Sequence, residues 1–173
     1  MQKVEVELEA NTRPQVSVHI RVANAGDTAA MILVVNAAFA IETFMDGTRT
    51  DRERMSESMR KGEFLLAEDE SGRVVACVYT EVRGPRGYLG MLSVDPPRQR
   101  SGLGRAMVEA AESHCRRSGC LEMGLSVLSL RPELLSFYRG LGYVECGVEE
   151  FQPSRPLKAG RECHKILMSK ALQ

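Results

Sequence analysis

The order of apolar and polar residues predicts strands and helices that alternate along most of the chain. Residues 16–21 place Val, Val and Ile at every second position, which is typical of a strand with one buried face. A helical pattern follows from Gly26 through Phe39, and a second, charged helix is predicted from Asp51 to Arg60, before Gly62. One strand and two helices are therefore expected before the next strand begins.

The middle of the chain predicts three consecutive strands and then the most strongly amphipathic helix. The strands are predicted over Phe64–Ala67, Val74–Val82 and Tyr88–Val94. Gly90 in the last of these suggests a β-bulge. The helix runs roughly from Ser101 to Ser118, with apolar residues at helical spacing. Glu112 and Arg116 are expected to form an exposed i,i+4 pair on its polar side.

The last third of the chain adds three strands and one short helix. The helix begins at Pro132 and is ended by Gly140 and Gly142. The strands are predicted over Leu121–Val127, Tyr143–Val148 and Arg161–Met168. Hairpins are thus mixed with crossover connections, which favours an α/β (α+β) fold with a mixed sheet and helices on its faces.

Length and composition fit one globular domain. The chain has 173 residues, of which 43% are hydrophobic and 27% charged, so a sizeable core is available. No repeat, long linker or low-complexity tract divides it. We expect an N-terminal tail over residues 1–14 and a single domain over residues 15–173.

The charge balance and the cysteine spacing argue against a nucleic-acid partner, a membrane partner and a metal site. Basic and acidic residues are equal at 23 each, so no general attraction to nucleic acid or to an anionic membrane is predicted. No apolar stretch approaches the roughly 20 residues of a membrane span, and residues 1–14 lack the apolar core of a signal peptide. Five cysteines without paired spacing predict no metal site, and they suit a reduced cytoplasmic protein.

The loop before the long helix carries the clearest binding signal. Gly102 and Gly104 remove side chains at a helix N-terminus, where unpaired N–H groups attract anions. Arg98, Arg100 and Arg105 add positive charge that suits phosphate. This loop lacks the Gly-Lys-Ser/Thr of a P-loop and the Gly-x-Gly-x-x-Gly of a dinucleotide fold. A pyrophosphate site is predicted, with an ordinary turn carrying solvated arginines as the alternative.

Three stretches resemble the GNAT N-acetyltransferase superfamily. Residues 99–104, Gln-Arg-Ser-Gly-Leu-Gly, match its Gln/Arg-x-x-Gly-x-Gly/Ala motif. The strand before them, residues 89–96, resembles its L-x-V-x-P strand, and residues 136–143 resemble its Phe-Tyr-x-x-x-Gly-Phe/Tyr segment. The resemblance covers about residues 16–168. It implies a mixed, mostly antiparallel sheet of six to seven strands, with about four helices on both faces.

The resemblance also implies a reaction and a set of site residues. Acetyl-CoA would donate its acetyl group directly to a primary amine. Tyr138 would protonate the departing thiolate, and a backbone N–H near Met91 or Leu92 would meet the oxyanion. The residues expected to bind CoA are Leu92, Ser93 and Val94 through their backbone, and Gln99, Arg100, Ser101, Gly102, Leu103, Gly104 and Arg105.

Two positions depart from the family pattern. Arg131 stands where many relatives have Asn, and we expect it to reach the CoA or to face solvent. The run from Tyr88 to Ser93 contains no acid, although many relatives carry a Glu there as general base. Glu42 and Glu81 are the candidate bases, and solvated surface is the alternative for each.

The acceptor and some aspects of function stay open at this stage. Aromatic and acidic residues between Ala38 and Gly47 would suit a small cationic or amphipathic amine, while a small-molecule or a peptide amine fits the resemblance equally. A homodimer is also open. The competing functions are a non-catalytic CoA-binding sensor or interaction module, an unrelated nucleotide-binding protein, and transfer of another acyl group from CoA.

Overall fold

The fold was analysed in a computed structural model, which describes residues 17–173. The expected tail, residues 1–14, and Val16 of the first predicted strand lie outside these residues. The strands are β1 (His19–Val22), β2 (Glu63–Glu68), β3 (Val74–Arg83), β4 (Arg86–Val94), β5 (Glu122–Leu128), β6 (Val144–Glu150) and β7 (His164–Ala171). The helices are α1 (Thr28–Phe39), α2 (Arg52–Lys61), α3 (Leu103–Arg117) and α4 (Pro132–Gly140).

The seven strands form one mixed sheet in the order β1-β2-β3-β4-β5-β7-β6. Every neighbouring pair is antiparallel except β4 and β5, which are parallel. The crossover through α3 makes this parallel pairing, since two parallel strands need a long connection between them. The element order predicted from sequence is the observed one.

Helices cover both faces of the sheet. On one face, α1 and α2 pack on alternate residues of β2 and β3, with Met31, Val35 and Met55 fully buried. On the other face, α3 covers the remaining residues of the same strands and α4 packs against β5, with Met107 and Tyr143 in that core. The alternation of strand side chains thus divides the interior into two apolar layers.

The prediction of an exposed pair at Glu112 and Arg116 is wrong. Glu112 is buried, and its Oε1 accepts hydrogen bonds from the Tyr143 hydroxyl at 2.9 Å and from Lys170 Nζ at 2.9 Å. The α3 helix is covered more widely than its apolar residues alone indicate. The residues that cover the polar side of α3 at Glu112 are Lys170 of β7 and Tyr143, which directly precedes β6.

Candidate functional site

The sheet opens between β4 and β5. These two strands pair only from Arg86 opposite Glu122 to Tyr88 opposite Gly124, and then they separate. A cleft of about 750 Å³ occupies the opening and is lined by residues 88–92 and 94 of β4 and residues 125–128 of β5. A pocket of this size, walled by apolar strands and a few polar groups, is typical of a small-molecule or cofactor site.

A β-bulge interrupts β4 at the cleft. One residue of β3, Val78, lies opposite two residues of β4, Met91 and Leu92. Met91 has a positive φ of 48°, and the Ser93 hydroxyl donates to its carbonyl oxygen at 2.9 Å. The bulge lies one residue beyond the glycine at which the sequence suggested it. It turns the strand and presents main-chain groups toward the opening.

The predicted phosphate loop lies at one end of this cleft, at the start of α3. Arg100 and Gly102 both have positive φ, at 62° and 86°. Gly102 is the N-cap of α3 and provides no side-chain cap. The first intrahelical bond runs from Ala106 N to Gly102 O, so the N–H groups of the first turn have no helical partner. The main chain therefore presents a group of donors with the positive end of a helix dipole.

Polar side chains hold this loop in place. Gln99 Nε2 donates to Val94 O at 3.2 Å, and the Ser101 hydroxyl donates to Arg98 O at 2.6 Å. Arg98 is itself bound to Asp69, so it braces the loop from outside the cleft. The loop residues that line the cleft are Gln99, Arg100, Gly102, Gly104 and Arg105.

The other residues expected at the CoA site are divided between the cleft and the core. Leu92 and Val94 line the cleft. Ser93 is fully buried, and Leu103 belongs to the apolar layer beneath α3. Ser101 is exposed and bonds to the loop itself. Only some of the residues predicted to bind CoA thus line the cleft. The others are buried or form hydrogen bonds that hold the loop.

Tyr138 lies in the wall of the cleft, on α4. Its side chain is 6% exposed and packs edge-on against Phe137 and Tyr143. In residues 17–173 no hydrogen bond engages its hydroxyl, which leaves that group to the cleft. Burial raises the pKa of Tyr138, while Arg131 opposes this rise. The phenol is therefore protonated at neutral pH and available as a donor.

Glu42 is a buried carboxylate with two arginine partners. Its Oε1 accepts from Arg131 Nη1 at 3.1 Å, and its Oε2 accepts from Arg155 Nη2 at 2.5 Å. Arg131 also donates to Glu133 through its Nε. Arg131 therefore lines the cleft in ion pairs and is largely shielded from solvent. The negative charge that Glu42 brings to this wall is neutralised.

Glu81, the second candidate base, lies elsewhere. Its carboxylate accepts from the Tyr79 hydroxyl at 2.8 Å and from Arg83 Nε at 2.8 Å, and it is absent from the cleft lining. The bonds from Arg83 lower the pKa of Glu81, which makes it a weaker base. The structure brings Glu42 and Tyr138 to one cleft and leaves Glu81 outside it.

The cleft residues that the sequence analysis missed include Arg155, Arg49 and Tyr88. Arg155 meets Glu42 across more than a hundred residues of chain, and no local pattern indicates such a contact. Arg49 lies in a polar loop between two helices, where a cation usually faces solvent. Tyr88 lies within β4, and a tyrosine is common in β-strands, so its sequence position gives no sign of a site role. The absence of an acidic residue between Tyr88 and Ser93 was the one sequence feature indicating that residues from other segments line the site.

Comparison with known families is decisive at this point. A model of the Acetyltransferase (GNAT) family matches residues 32–143, which is more than half of the chain. The chain belongs to this family. The resemblance found in the sequence and the fold expected from it are both confirmed.

Several curated proteins are related in sequence to this GNAT chain. It is 29% identical over 153 residues to a mycothiol acetyltransferase of Saccharomonospora viridis, covering 79% of this chain and 50% of that protein. It is 30% identical over 106 residues to the mycothiol acetyltransferase of Propionibacterium freudenreichii, covering 57% of this chain and 34% of that protein. The GNAT chain thus matches half or less of the length of these relatives.

Solved structures share the same architecture. The crystal structure of the ribosomal-protein-S18-alanine N-acetyltransferase from Escherichia coli superposes with a TM-score of 0.73 at 19% identity, covering 91% of this chain and 95% of that one. The phosphinothricin acetyltransferase from Sinorhizobium meliloti in complex with AcCoA gives 0.72 at 17% identity, covering 90% and 88%. At these identities the likeness shows the GNAT fold alone.

Within residues 17–173, no three His, Cys, Asp or Glu side chains converge as a metal site would require. In the same part of the chain, none of the helices combines the length and apolar character of a membrane span.

Proposed function

We propose that this GNAT chain transfers an acetyl group from acetyl-CoA to a primary amine by direct attack. The observation that carries the proposal is the single cleft that joins the unpaired start of α3 to the Tyr138 side chain. One end offers amides for a diphosphate, and the wall offers a protonated acid for a thiolate. Membership of an acetyltransferase family supports the same reaction.

The CoA moiety is proposed to bind along β4 and the start of α3. Main-chain N–H groups from Arg100 to Arg105 would hold the diphosphate, and the Arg100 side chain would add a charge-assisted contact. The main chain of Leu92 to Val94, which has no strand partner on the β5 side, would pair with the amide groups of the pantetheine arm. This arm would then occupy the place where β4 lacks a neighbour.

The chemical step is one displacement at the thioester. The amine nitrogen attacks the carbonyl carbon and forms the C–N bond, and an oxyanion develops on the carbonyl oxygen. An N–H of the bulge at Met91 and Leu92 would stabilise that charge. The C–S bond then breaks, and Tyr138 gives its proton to the sulfur. The surplus proton of the amine passes to solvent, and the tyrosinate regains a proton from solvent.

Glu42 is proposed as a structural carboxylate, and we assign it no part in removing the proton. Both of its oxygens are held by arginines, so accepting a proton would break at least one charge-assisted bond. Glu81 lies outside the cleft lining. A neutral amine therefore attacks without a dedicated side-chain base, which favours acceptors of low amine pKa.

Calorimetry with CoA, followed by thiol detection with acetyl-CoA and an amine panel, tests the proposal. We expect CoA to bind and at least one amine to release thiol. Binding of CoA without thiol release for any amine would indicate the alternative, a non-catalytic sensor or interaction module of the same fold. Absence of CoA binding would overturn both. Parallel trials with other acyl-CoA donors define the acyl group.

The cellular location and the assembly state stay predictions. The sequence led us to expect a cytoplasmic protein, and it left a homodimer open. Light scattering of the full chain, with and without CoA, measures the assembly state directly.

A further inference from the structure

Arg49 differs from the other arginines of residues 17–173. It is neither exposed nor joined by a hydrogen bond or ion pair to that part of the chain, yet its side chain lines the cleft. Its guanidinium carbon lies 5.2 Å from the centre of the Phe39 ring. A guanidinium stacked in this way keeps its N–H edge free for an anion in the same plane. The neighbouring Arg131 and Arg155 instead share Glu42.

The backbone that carries Arg49 is fixed. The side-chain amide of Asn36 donates to Thr50 O at 3.0 Å and accepts from Thr50 N at 2.9 Å. Thr50 itself is 2% exposed. The residue next to Arg49 is thus clamped to α1 by two hydrogen bonds. A cation held on a fixed main chain is arranged in advance for a ligand.

Arg49 belongs to the acceptor side of the cleft. It lies between α1 and α2, which cover the face of the sheet opposite to α3 and the phosphate loop. Tyr88 is close enough to influence the pKa of both Arg49 and Tyr138. Tyr88 also lines the cleft, so one aromatic side chain lies near both the proposed acid and this guanidinium. Burial lowers the pKa of Arg49, and the nearby Glu42 carboxylate, which forms no ion pair with it, opposes this shift.

The charge of the cleft supports an anionic ligand at this end. Six basic side chains but only two acidic ones line the cleft, and the acidic ones, Glu42 and Glu133, are both bound to Arg131. Arg100 and Arg105 face the phosphate end. The cationic acceptor that the sequence suggested would meet a neutralised wall and an unpaired guanidinium.

We propose that the acceptor is a small amine that also carries a carboxylate, and that Arg49 binds this carboxylate. This inference rests on the proposed acetyl transfer. The carboxylate accepts two hydrogen bonds from the free edge of the guanidinium, and the amine then points past Tyr88 toward the thioester. Arg49 is a specificity-determining residue that orients the nucleophile.

Matched pairs of substrates isolate the carboxylate. Amino acids of increasing side-chain size are compared with their carboxamides, using acetyl-CoA and wild-type, Arg49→Gln and Arg52→Gln proteins. Each rate is divided by the fraction of neutral amine, because a carboxamide has a lower amine pKa than its amino acid. Arg52 lies on α2, is exposed and is absent from the cleft lining, so its variant removes the same charge elsewhere. We expect wild type to favour carboxylates about tenfold or more in kcat/KM. Arg49→Gln should raise KM for carboxylates about ten- to a hundredfold, leaving KM for acetyl-CoA and the carboxamide rates unchanged.

Calorimetry of the same ligands on CoA-loaded protein separates this inference from the reaction itself. Carboxylate binding that depends on Arg49 without thiol release would support the inference while overturning acetyl transfer. Carboxamides that bind or react as well as carboxylates would overturn the inference, whether or not thiol appears. Equal weakening of carboxylate and carboxamide binding by Arg49→Gln would also overturn the inference. So would acetylation only of peptides whose amine is remote from any carboxylate.

Discussion

Glu42 and Arg155 form a buried ion pair, with Oε2 and Nη2 2.5 Å apart, between residues 113 positions apart in the chain. Arg131 completes the group from the loop between β5 and α4. Arg155 also donates to Gly47 O at 3.3 Å, and Met45 forms a bridge with Leu157. One carboxylate thus ties together three loops that surround the acceptor side of the cleft.

Replacing Glu42 by Gln is expected to destabilise the fold. Two arginines would then face each other with only one amide oxygen between them, and breaking a buried pair costs about 3 kcal/mol or more. For a domain of this size the melting temperature should fall by roughly 6–12 °C, measured by thermal unfolding. Glu133→Gln, which removes the exposed partner of Arg131, is the control and should change stability by less than about 1 kcal/mol. An unchanged melting temperature for Glu42→Gln would show that the carboxylate does not hold the loops together.

Replacing Tyr138 by Phe removes the proposed acid with little structural effect, since no partner within residues 17–173 bonds to its hydroxyl. We expect kcat to fall about 10²- to 10⁴-fold with KM for acetyl-CoA nearly unchanged, measured by thiol release. Tyr143→Phe offers the opposite pattern. It removes the buried bond to Glu112, so it should lower stability by about 1–3 kcal/mol while kcat stays within a few-fold. Equal kcat in wild type and Tyr138→Phe would assign the proton to another group.

The pH dependence of kcat follows from the burial of Tyr138. Its pKa lies above the ordinary value of 10.0 because the charged phenolate is poorly solvated. The acid is protonated below its pKa, so raising the pH to about 10 should not remove the proton that the sulfur needs. The kcat profile should rise as the amine loses its proton and then stay flat on the alkaline side. A descending alkaline limb near pH 8 in wild type, with stability intact, would contradict this assignment.

Two alanine variants distinguish the glycines of the phosphate loop. Gly102 has a φ of 86°, so Gly102→Ala should cost about 1 kcal/mol of stability and weaken CoA binding about tenfold or more. A Cβ on Gly104 would meet Phe137 and Val94 at 3.6 and 3.8 Å, which is ordinary contact. Gly104→Ala should therefore gain up to about 1 kcal/mol from helix propensity and weaken CoA binding less than Gly102→Ala does. Calorimetry and thermal unfolding measure both effects, and equal losses in the two variants would refute the distinction.

The five cysteines should differ in reactivity toward a disulfide reagent. Burial raises the pKa of Cys77 and of Cys115 to about 12, and Cys120 is also buried. Cys146 is exposed on β6 and should react first, followed by the partly covered Cys163. Peptide mapping after timed labelling checks this order, and denaturant should release the remaining three thiols. Rapid labelling of Cys77 in folded protein would contradict the buried position. Cys146→Ser also lowers the background of thiol-release assays.

The fold was largely predictable because its signals are local. Periodicity located every strand and helix, with boundaries that shift by a few residues, and glycines and arginines marked the start of α3. Glu112 shows where this reasoning failed, because a polar residue on a helix looks exposed until a distant lysine and tyrosine cover it. The Glu42–Arg155 pair and the free guanidinium of Arg49 depend on loops that meet only in three dimensions. The residues around them in sequence show no hydrophobic periodicity, helix cap or motif that would predict these contacts.

The early separation of β4 from β5 has a consequence for the molecule as a whole. Strands β1 to β4 and strands β5 to β7 share only a short ladder near Tyr88, so the two halves of the sheet lack a continuous hydrogen-bonded connection along the rest of their length. A donor molecule lying in that gap would act as a temporary strand and complete the network. The supply of donor would then govern the lifetime of the folded protein as well as the reaction rate, because a ligand that binds only the folded state protects it from unfolding.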